Sequence, residues 1–422
     1  MDAVALDDRD RALLDGAAGE AGRLAMRVLV RMARAQGAER LRDVTRAHID
    51  GCLYHGRAGL DFARRLVDGG GRVTIPTTLN VGSLDLLHPD RFRGDPETGR
   101  QARALMDAYV ALGCRPTWTC APYQLPGSRP ALGEHVAWAE SNAIVFANSV
   151  LGARTDRYGD FLDICAAITG RVPDAGLHLD ERRRGEVVFR LEGVGARLRQ
   201  DPVLYPLVGH VVGAAAGSRV PVLIGLPERA SEDDLKGLGA AAASSGSVAL
   251  FHAVGLTPEA PTLEEALGGR APLREETIGP ERLRAAREEL TTAAGDRLTG
   301  VSLGTPHFSV SEFGRLVDLL DGARVHADVE CYVSTARDVL AEVEARGWVG
   351  ALEAAGVRIV TDTCTYVTPI MRPDGVVMTN SGKWAYYAPG NLGVEAVFGS
   401  LEECVRSAQA GRVTVDEELW DG

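Results

Sequence analysis

An α/β protein built on parallel sheets is the fold this 422-residue sequence predicts, on three observations. Short apolar runs rich in Val, Ile and Leu alternate with longer stretches whose apolar positions recur at helical spacing. Polar loops with Gly, Pro, Ser and Thr follow the apolar runs, as they do at the carboxyl ends of parallel strands. The hydrophobic fraction of 45% is ordinary for a globular core, and no run of 18 apolar residues occurs that could span a membrane.

Taken in order, residues 8–38 carry Leu13, Leu14, Ala17, Leu24, Met26, Val28, Leu29 and Met32 on one helical face. A second helix is expected over 59–67. Gly69-Gly70-Gly71 then breaks the chain before a short strand at 72–76. A helix over 100–112 and a strand near 115–119 follow. In the middle third, 187–191 and 220–226 read as buried strands. The Val-, Gly- and Ala-rich stretch 205–216 reads as a tightly packed helix, residues 240–247 as close helix packing with a loop, and 263–290 as a charged helical surface around a Gly/Pro break. The last third predicts strands at 299–303, 329–333, 358–361, 376–379 and 394–398, with helices at 311–320, 336–344 and 347–355. The strand at 299–303 ends in a polar loop, 304–309. Soft boundaries near these transitions give three α/β domains, 1–175, 176–295 and 296–422.

The chain carries 46 basic and 58 acidic side chains, a net charge of −12, and only 5% aromatic residues. That balance excludes bulk nucleic-acid binding, because no basic field would gather phosphates and few rings could stack on bases. The acidic start, Met1 to Asp8, lacks the basic and apolar layout of a secretory signal. A cytoplasmic protein with no membrane partner is expected. Seven cysteines without CxxC pairs suit reduced thiols or metal ligands, neither a disulfide framework nor a structural zinc site. A dinucleotide fold is disfavoured, since Gly69-Gly70-Gly71 precedes a strand where a GxGxxG turn would follow one.

Two cysteines stand in polar loops: Cys120, before Pro122, and Cys364, in Thr361-Asp362-Thr363-Cys364. Isolated loop cysteines with small polar neighbours are poor core material and good thiolate ligands for iron and sulfur. Around Cys120 comes a compact polar set, Glu134, His135, Trp138, Glu140, Ser141, Asn142, Asn148, Ser149, Arg154 and Thr155. Further motifs are His48 to Gly56, Pro76 to Asn80 with Ser83-Leu84-Asp85, Gly304-Thr305-Pro306-His307-Phe308-Ser309, Asn380-Ser381-Gly382-Lys383 and Phe398 to Cys404.

This series of motifs, in this order and over essentially the whole chain, resembles the large subunit of the aconitase X family. The resemblance implies an aconitase-like multi-domain architecture around a central cluster site. It also implies a dehydratase (hydro-lyase) that uses an iron–sulfur cluster, with iron polarising a departing hydroxyl. Cys120 and Cys364 are the expected ligands. For the third, Cys52 is preferred over Cys331, which sits within a strand; Cys114, Cys165 and Cys404 read as core thiols. Archaeal relatives carry a cysteine where Thr305 stands here, so the two-iron and four-iron forms both stay open.

His307, His55 and Lys383 are the catalytic candidates. Arg154 and Lys383 are the candidate clamps for a substrate carboxylate. Asn80, Ser83, Glu140, Ser141, Asn142, Asn148, Ser149, Thr155, Ser309 and Ser381 are candidate substrate contacts, although Ser83 and Ser309 also fit helix caps. The motifs resemble the hydroxyproline branch of the family, which implies dehydration of cis-3-hydroxy-L-proline to Δ1-pyrroline-2-carboxylate. The alternative branch dehydrates mevalonate 5-phosphate, which Arg115 and Arg337 keep open; a non-catalytic subunit that retains the fold is a separate alternative. The family's swivelling domain, with its catalytic serine, is expected on a separate small subunit.

Overall fold

The computed structural model describes residues 4–372 and 374–420; Met1 to Ala3 of the acidic start lie outside them. Two compact units emerge: one comprises residues up to Leu84 with Asp95–Arg184, the other Asp85–Gly94 with Gly185 onward.

The first unit opens on helices α1 (Asp8–Asp15) and α2 (Gly19–Gln36). The single helix expected over 8–38 is therefore broken. Gly16 takes φ +96°, a left-handed conformation that ends α1. In α2, Ala21, Ala25, Leu29 and Ala33 recur every fourth residue and are buried, which is why this stretch becomes a packed helix. Then come β1 (Leu41–Asp43), β2 (Ala47–Ile49), α3 (Arg57–Asp68), β3 (Thr77–Leu79), α4 (Pro96–Ala111), β4 (Ala137–Trp138), α5 (Ser141–Ser149), α6 (Leu162–Thr169) and β5 (Arg171–Pro173). Strands β3, β2 and β4 make a small parallel sheet in that order, and β1 pairs antiparallel with β5. The strand expected at 72–76 falls instead at Thr77–Leu79, and 115–119 contributes only a bridge from Arg115 to Thr78.

The second unit contains two all-parallel sheets. The first has β6 (Val187–Leu191), β7 (Pro221–Ile224), β8 (His252–Ala253) and β9 (Arg274–Ile278) in the order β8-β7-β6-β9. Helices α7 (Ala196–Gln200), α8 (Leu204–Ala216), α9 (Glu232–Ser245), α10 (Leu263–Leu267) and α11 (Pro280–Glu289) connect and cover it. Helices α8 and α9 approach closely because Gly209 and Gly213 have no side chains. A Cβ on Gly209 would lie 2.2 Å from the Leu238 carbonyl oxygen. Strand β9 was not anticipated: its exposed Arg-Glu-Glu start hides it inside a charged stretch.

The second sheet is formed by β10 (Leu298–Phe308), β11 (Glu330–Thr335), β12 (Val357–Thr361), β13 (Val376–Thr379) and β14 (Glu395–Phe398). Helices α12 (Val310–Leu320), α13 (Arg337–Ala345), α14 (Trp348–Ala355), α15 (Gly382–Leu392), α16 (Leu401–Ala410) and α17 (Glu417–Trp420) complete it. The order β12-β11-β10-β13-β14 runs outward from β10 in both directions. Strands β10 and β13 thus flank a topological switch point, where α/β folds form a crevice beyond the strand ends. The loop expected at 304–309 is instead the last part of β10, with a register shift between Leu303 and Phe308. Gly304 permits this: at φ +83°, any Cβ there would meet the Ser334 carbonyl oxygen at 2.1 Å. No helix among the described residues is long and apolar enough to cross a membrane.

Candidate active site

In the second unit, His307 lies near the end of β10 and Cys364 just beyond β12; both are fully buried. A ring nitrogen of His307 and the Sγ of Cys364 lie within 4.8 Å of each other. His307 Nε2 is 3.2 Å from the Thr363 carbonyl oxygen. A carbonyl only accepts, so this bond places the proton on Nε2 and leaves Nδ1 as the lone-pair nitrogen of the neutral ring. Metal-binding histidines are oriented in this manner.

The Cys364 turn is held from several sides. Arg337 donates to both carboxylate oxygens of Asp362, at 2.7 and 2.6 Å, and Asp362 also accepts from the Leu86 amide at 3.2 Å. Burial raises the Asp362 pKa while Arg337 opposes the rise. Thr363 and Thr368 share a hydroxyl contact of 2.6 Å. Thr365 contacts Ser302 at 2.5 Å and accepts from the Trp384 indole at 3.1 Å. The Cys364 carbonyl accepts from the Thr368 amide.

In the first unit, Cys120 is buried ahead of a short turn beginning at Pro122. Asn142 donates to the Cys120 carbonyl at 3.0 Å and to the Tyr123 hydroxyl at 2.8 Å. Four described non-glycine residues have positive φ, and two of them precede these cysteines by two positions: Trp118 at +44° and Asp362 at +64°. Backbone held in that region costs energy, and it gathers where a side chain must be aimed.

Cys52 has a different environment. Its thiol faces the carbonyl oxygens of Ile49, Asn80 and Val81 at 3.4–3.7 Å, and burial lifts its pKa well above the ordinary range. Three acceptors hold the proton on sulfur, the reverse of what a thiolate ligand requires. Cys331 is buried in β11, with its pKa pushed up to about 12.

Many of the polar candidates hold the fold. Arg154 reaches the Asp180 carboxylate and the His178 carbonyl, so the clamp expected for a substrate is spent on an internal ion pair. The Asn148 side chain pairs with the Thr155 backbone, donating to its carbonyl at 2.9 Å and accepting from its amide at 3.1 Å, and the Thr155 hydroxyl accepts from the Trp138 amide. Glu140 caps α5 and accepts from Ser141. Ser149 is buried at the end of α5. Ser83 accepts the Tyr54 amide, and Asn80 donates to Asp50. His55 is exposed.

In the second unit, Ser309 and Ser381 cap α12 and α15. Ser381 also donates to the Thr305 carbonyl, linking β10 to the end of β13 across the switch point. Lys383 is buried, with its ammonium 5.7 Å from the Tyr366 ring centre.

Sequence reasoning missed Asp163. It accepts the Asp50 and Gly51 amides at 2.7 and 3.1 Å, and burial raises its pKa to about 6. Nothing local to Leu162-Asp163-Ile164 signals that role. Lys236 and Asp233 were missed too, although Ser309-x-x-Glu312 already spells a capping box.

The aconitase X first-, second- and third-domain descriptions match residues 3–181, 185–288 and 298–410. The chain is 48% identical over 420 residues to a cis-3-hydroxy-L-proline dehydratase of Pseudomonas aeruginosa, covering 98% of this chain and 72% of that protein. It is 37% identical to the phosphomevalonate dehydratase large subunit of Methanosarcina mazei, covering 96% of this chain and 98% of that one. The crystal structure of aconitase X from Thermococcus kodakaraensis, in its holo-form, superposes with a TM-score of 0.85 at 32% identity. The match covers 96% of this chain and all of that one.

Proposed function

Because the chain belongs to the aconitase X family, we propose that it is the hydro-lyase that dehydrates cis-3-hydroxy-L-proline, with Cys120, Cys364 and His307 holding an iron–sulfur cluster. The C2 proton is lost, the C3–O bond breaks and the hydroxyl leaves as water. The resulting enamine tautomerises to Δ1-pyrroline-2-carboxylate. The cluster, when bound, supplies Lewis acidity toward the leaving hydroxyl. The observation that carries this reading is the buried His307–Cys364 donor pair, with Nε2 committed to the Thr363 carbonyl. One soft thiolate and one imidazole fit iron chemistry.

Around that centre the chain's own residues bind and orient. Lys383, at the first turn of α15, takes over the carboxylate role that Arg154 does not fill. A helix N-terminus adds to its attraction for an anion. Asn142 fixes the Cys120 loop, and Arg337 fixes the Cys364 loop through Asp362. That commitment of Arg337 argues against a phosphorylated substrate, for which Arg337 was a candidate cation.

The large-subunit name of the archaeal relative supports a small-subunit partner here, carrying the swivelling domain and its serine. The division 1–175, 176–295 and 296–422 and a cytoplasmic location belong to the same proposal. The test is anaerobic coexpression with the small subunit, followed by assay of cis-3-hydroxy-L-proline for pyrroline carboxylate. An iron-free complex at full activity would refute the metal reading, and activity confined to a phosphorylated acid would move the substrate.

A further inference from the structure

Lys236 of α9 is only 2% exposed. Its three ammonium donors have three acceptors: Asp233 Oδ1 at 2.8 Å, Glu312 Oε2, and the main-chain carbonyl of His307 at 3.3 Å. Asp233 also accepts from Ser309 and Ser311, each at 2.6 Å. Glu312 accepts from the Ser309 amide at 2.8 Å, closing the capping box of α12. Every member of this knot binds the segment that runs from the end of β10 into α12. The knot also walls a cavity of about 270 Å³ shared with Thr305, Pro306 and Ser381.

A buried lysine between two carboxylates contributes little net stability compared with apolar residues of the same shape. What it supplies here that apolar residues could not is a donor aimed at the His307 carbonyl. We infer that Lys236 is a positioning residue for the dehydration: it locks the His307 backbone to α9 and so fixes the imidazole beside Cys364. The inference rests on the functional reading above for its kinetic consequence, but the geometric claim stands on this network alone.

The test separates charge balance from positioning. Lys236→Met alone leaves two acids facing each other, so the melting temperature and kcat both fall. In Asp233→Asn/Lys236→Met/Glu312→Gln the site is neutral, and the amide introduced by Glu312→Gln can still cap α12. The melting temperature of this triple variant should recover while kcat, assayed with the small subunit, stays about 10- to 100-fold down and KM moves less than about 2-fold. Glu312→Gln alone keeps the Lys236–carbonyl bond and should retain kcat within about 2-fold.

Hydrogen exchange of the full chain provides a readout without activity. Amide protection over 305–312 should drop in the triple variant and persist in Glu312→Gln. A triple variant with recovered stability, wild-type kcat and wild-type protection would overturn the inference. So would loss of both in Glu312→Gln. If the triple variant does not fold, exchange in Lys236→Met decides, because that change removes the donor to the His307 carbonyl: wild-type protection over 305–312 there would overturn the inference. If the wild-type complex leaves hydroxyproline untouched, the functional reading fails and the exchange data still decide whether Lys236 positions His307.

Discussion

Cys52 and Cys364 look alike in sequence and differ in the folded chain. Each follows a short strand, each has an aspartate two residues before it, and each is fully buried. The Cys52 sulfur is enclosed by three backbone acceptors that keep it protonated. The Cys364 sulfur lies beside an imidazole whose Nε2 is committed to a carbonyl. Their aspartates differ as well: Asp362 is clamped by Arg337 at positive φ, whereas Asp50 receives the Asn80 amide. Burial alone does not make a ligand. What distinguishes a ligand is whether its neighbours favour the thiol or the thiolate.

The sharpest way to break this contrast is to remove each sulfur. On the proposed ligand set, Cys364→Ala is expected to abolish iron incorporation and reduce kcat at least about 100-fold, because alanine offers no donor in place of the thiolate. Cys52→Ser keeps a donor for the three carbonyls. It should retain iron and activity and cost at most about 1.5 kcal/mol in urea denaturation. Loss of iron in Cys52→Ser at unchanged stability would reverse the assignment.

Next in size is the clamp. Arg337→Met strands a buried Asp362 carboxylate. It should cost about 2 kcal/mol, less than for a fully buried pair because Arg337 is 42% exposed. Iron content should fall with it, since the Cys364 turn loses its anchor. The corresponding change on the other side is Asp163→Ala, which frees the Asp50 and Gly51 amides at about 1–3 kcal/mol. Iron content at 25 °C should not change. Equal iron loss in both variants would mean that the two loops do the same job.

The smallest effect is a pH dependence rooted in the first unit. Burial lowers the pKa of His48 to about 4 and, with neighbouring charges, that of His178 to about 3. Between the unfolded value of 6.5 and these folded values, the unfolded chain binds the additional protons, so stability falls as pH falls. Asp163 works in the opposite direction. Its folded pKa of about 6 exceeds 3.8, so the folded state takes up a proton and gains stability through about pH 6 to 4. The urea midpoint should therefore decline from pH 7 to 4.5, less steeply in His48→Gln and more steeply in Asp163→Asn. A flat profile in the wild-type protein would contradict the buried neutral histidines.

Sequence alone disclosed the alternation of parallel strands and helices, because period and breaker residues are local signals. The motif loops singled out Cys120 and Cys364 as candidate ligands and His307 as a candidate catalytic residue. The local sequence does not show how Cys52 and Cys364 differ in environment, since two of the carbonyls that face the Cys52 thiol belong to residues 28 and 29 positions away. Arg154 read as a substrate clamp because its partner, Asp180, lies in another element. Strand β9 was hidden by its exposed charges, and β10 ran past its expected end because Gly304 lets the chain lie against Ser334. Apart from β9, whose own charges mask it, the partner that sets each environment is remote in sequence.

The most direct test counts sulfur and nitrogen ligands at iron by X-ray absorption, on anaerobically purified protein carrying Cys52→Ser, Cys120→Ser or Cys364→Ser. The account predicts an unchanged iron edge in the first variant and loss of iron in the other two. An iron centre that survives Cys364→Ser and disappears with Cys52→Ser would contradict it.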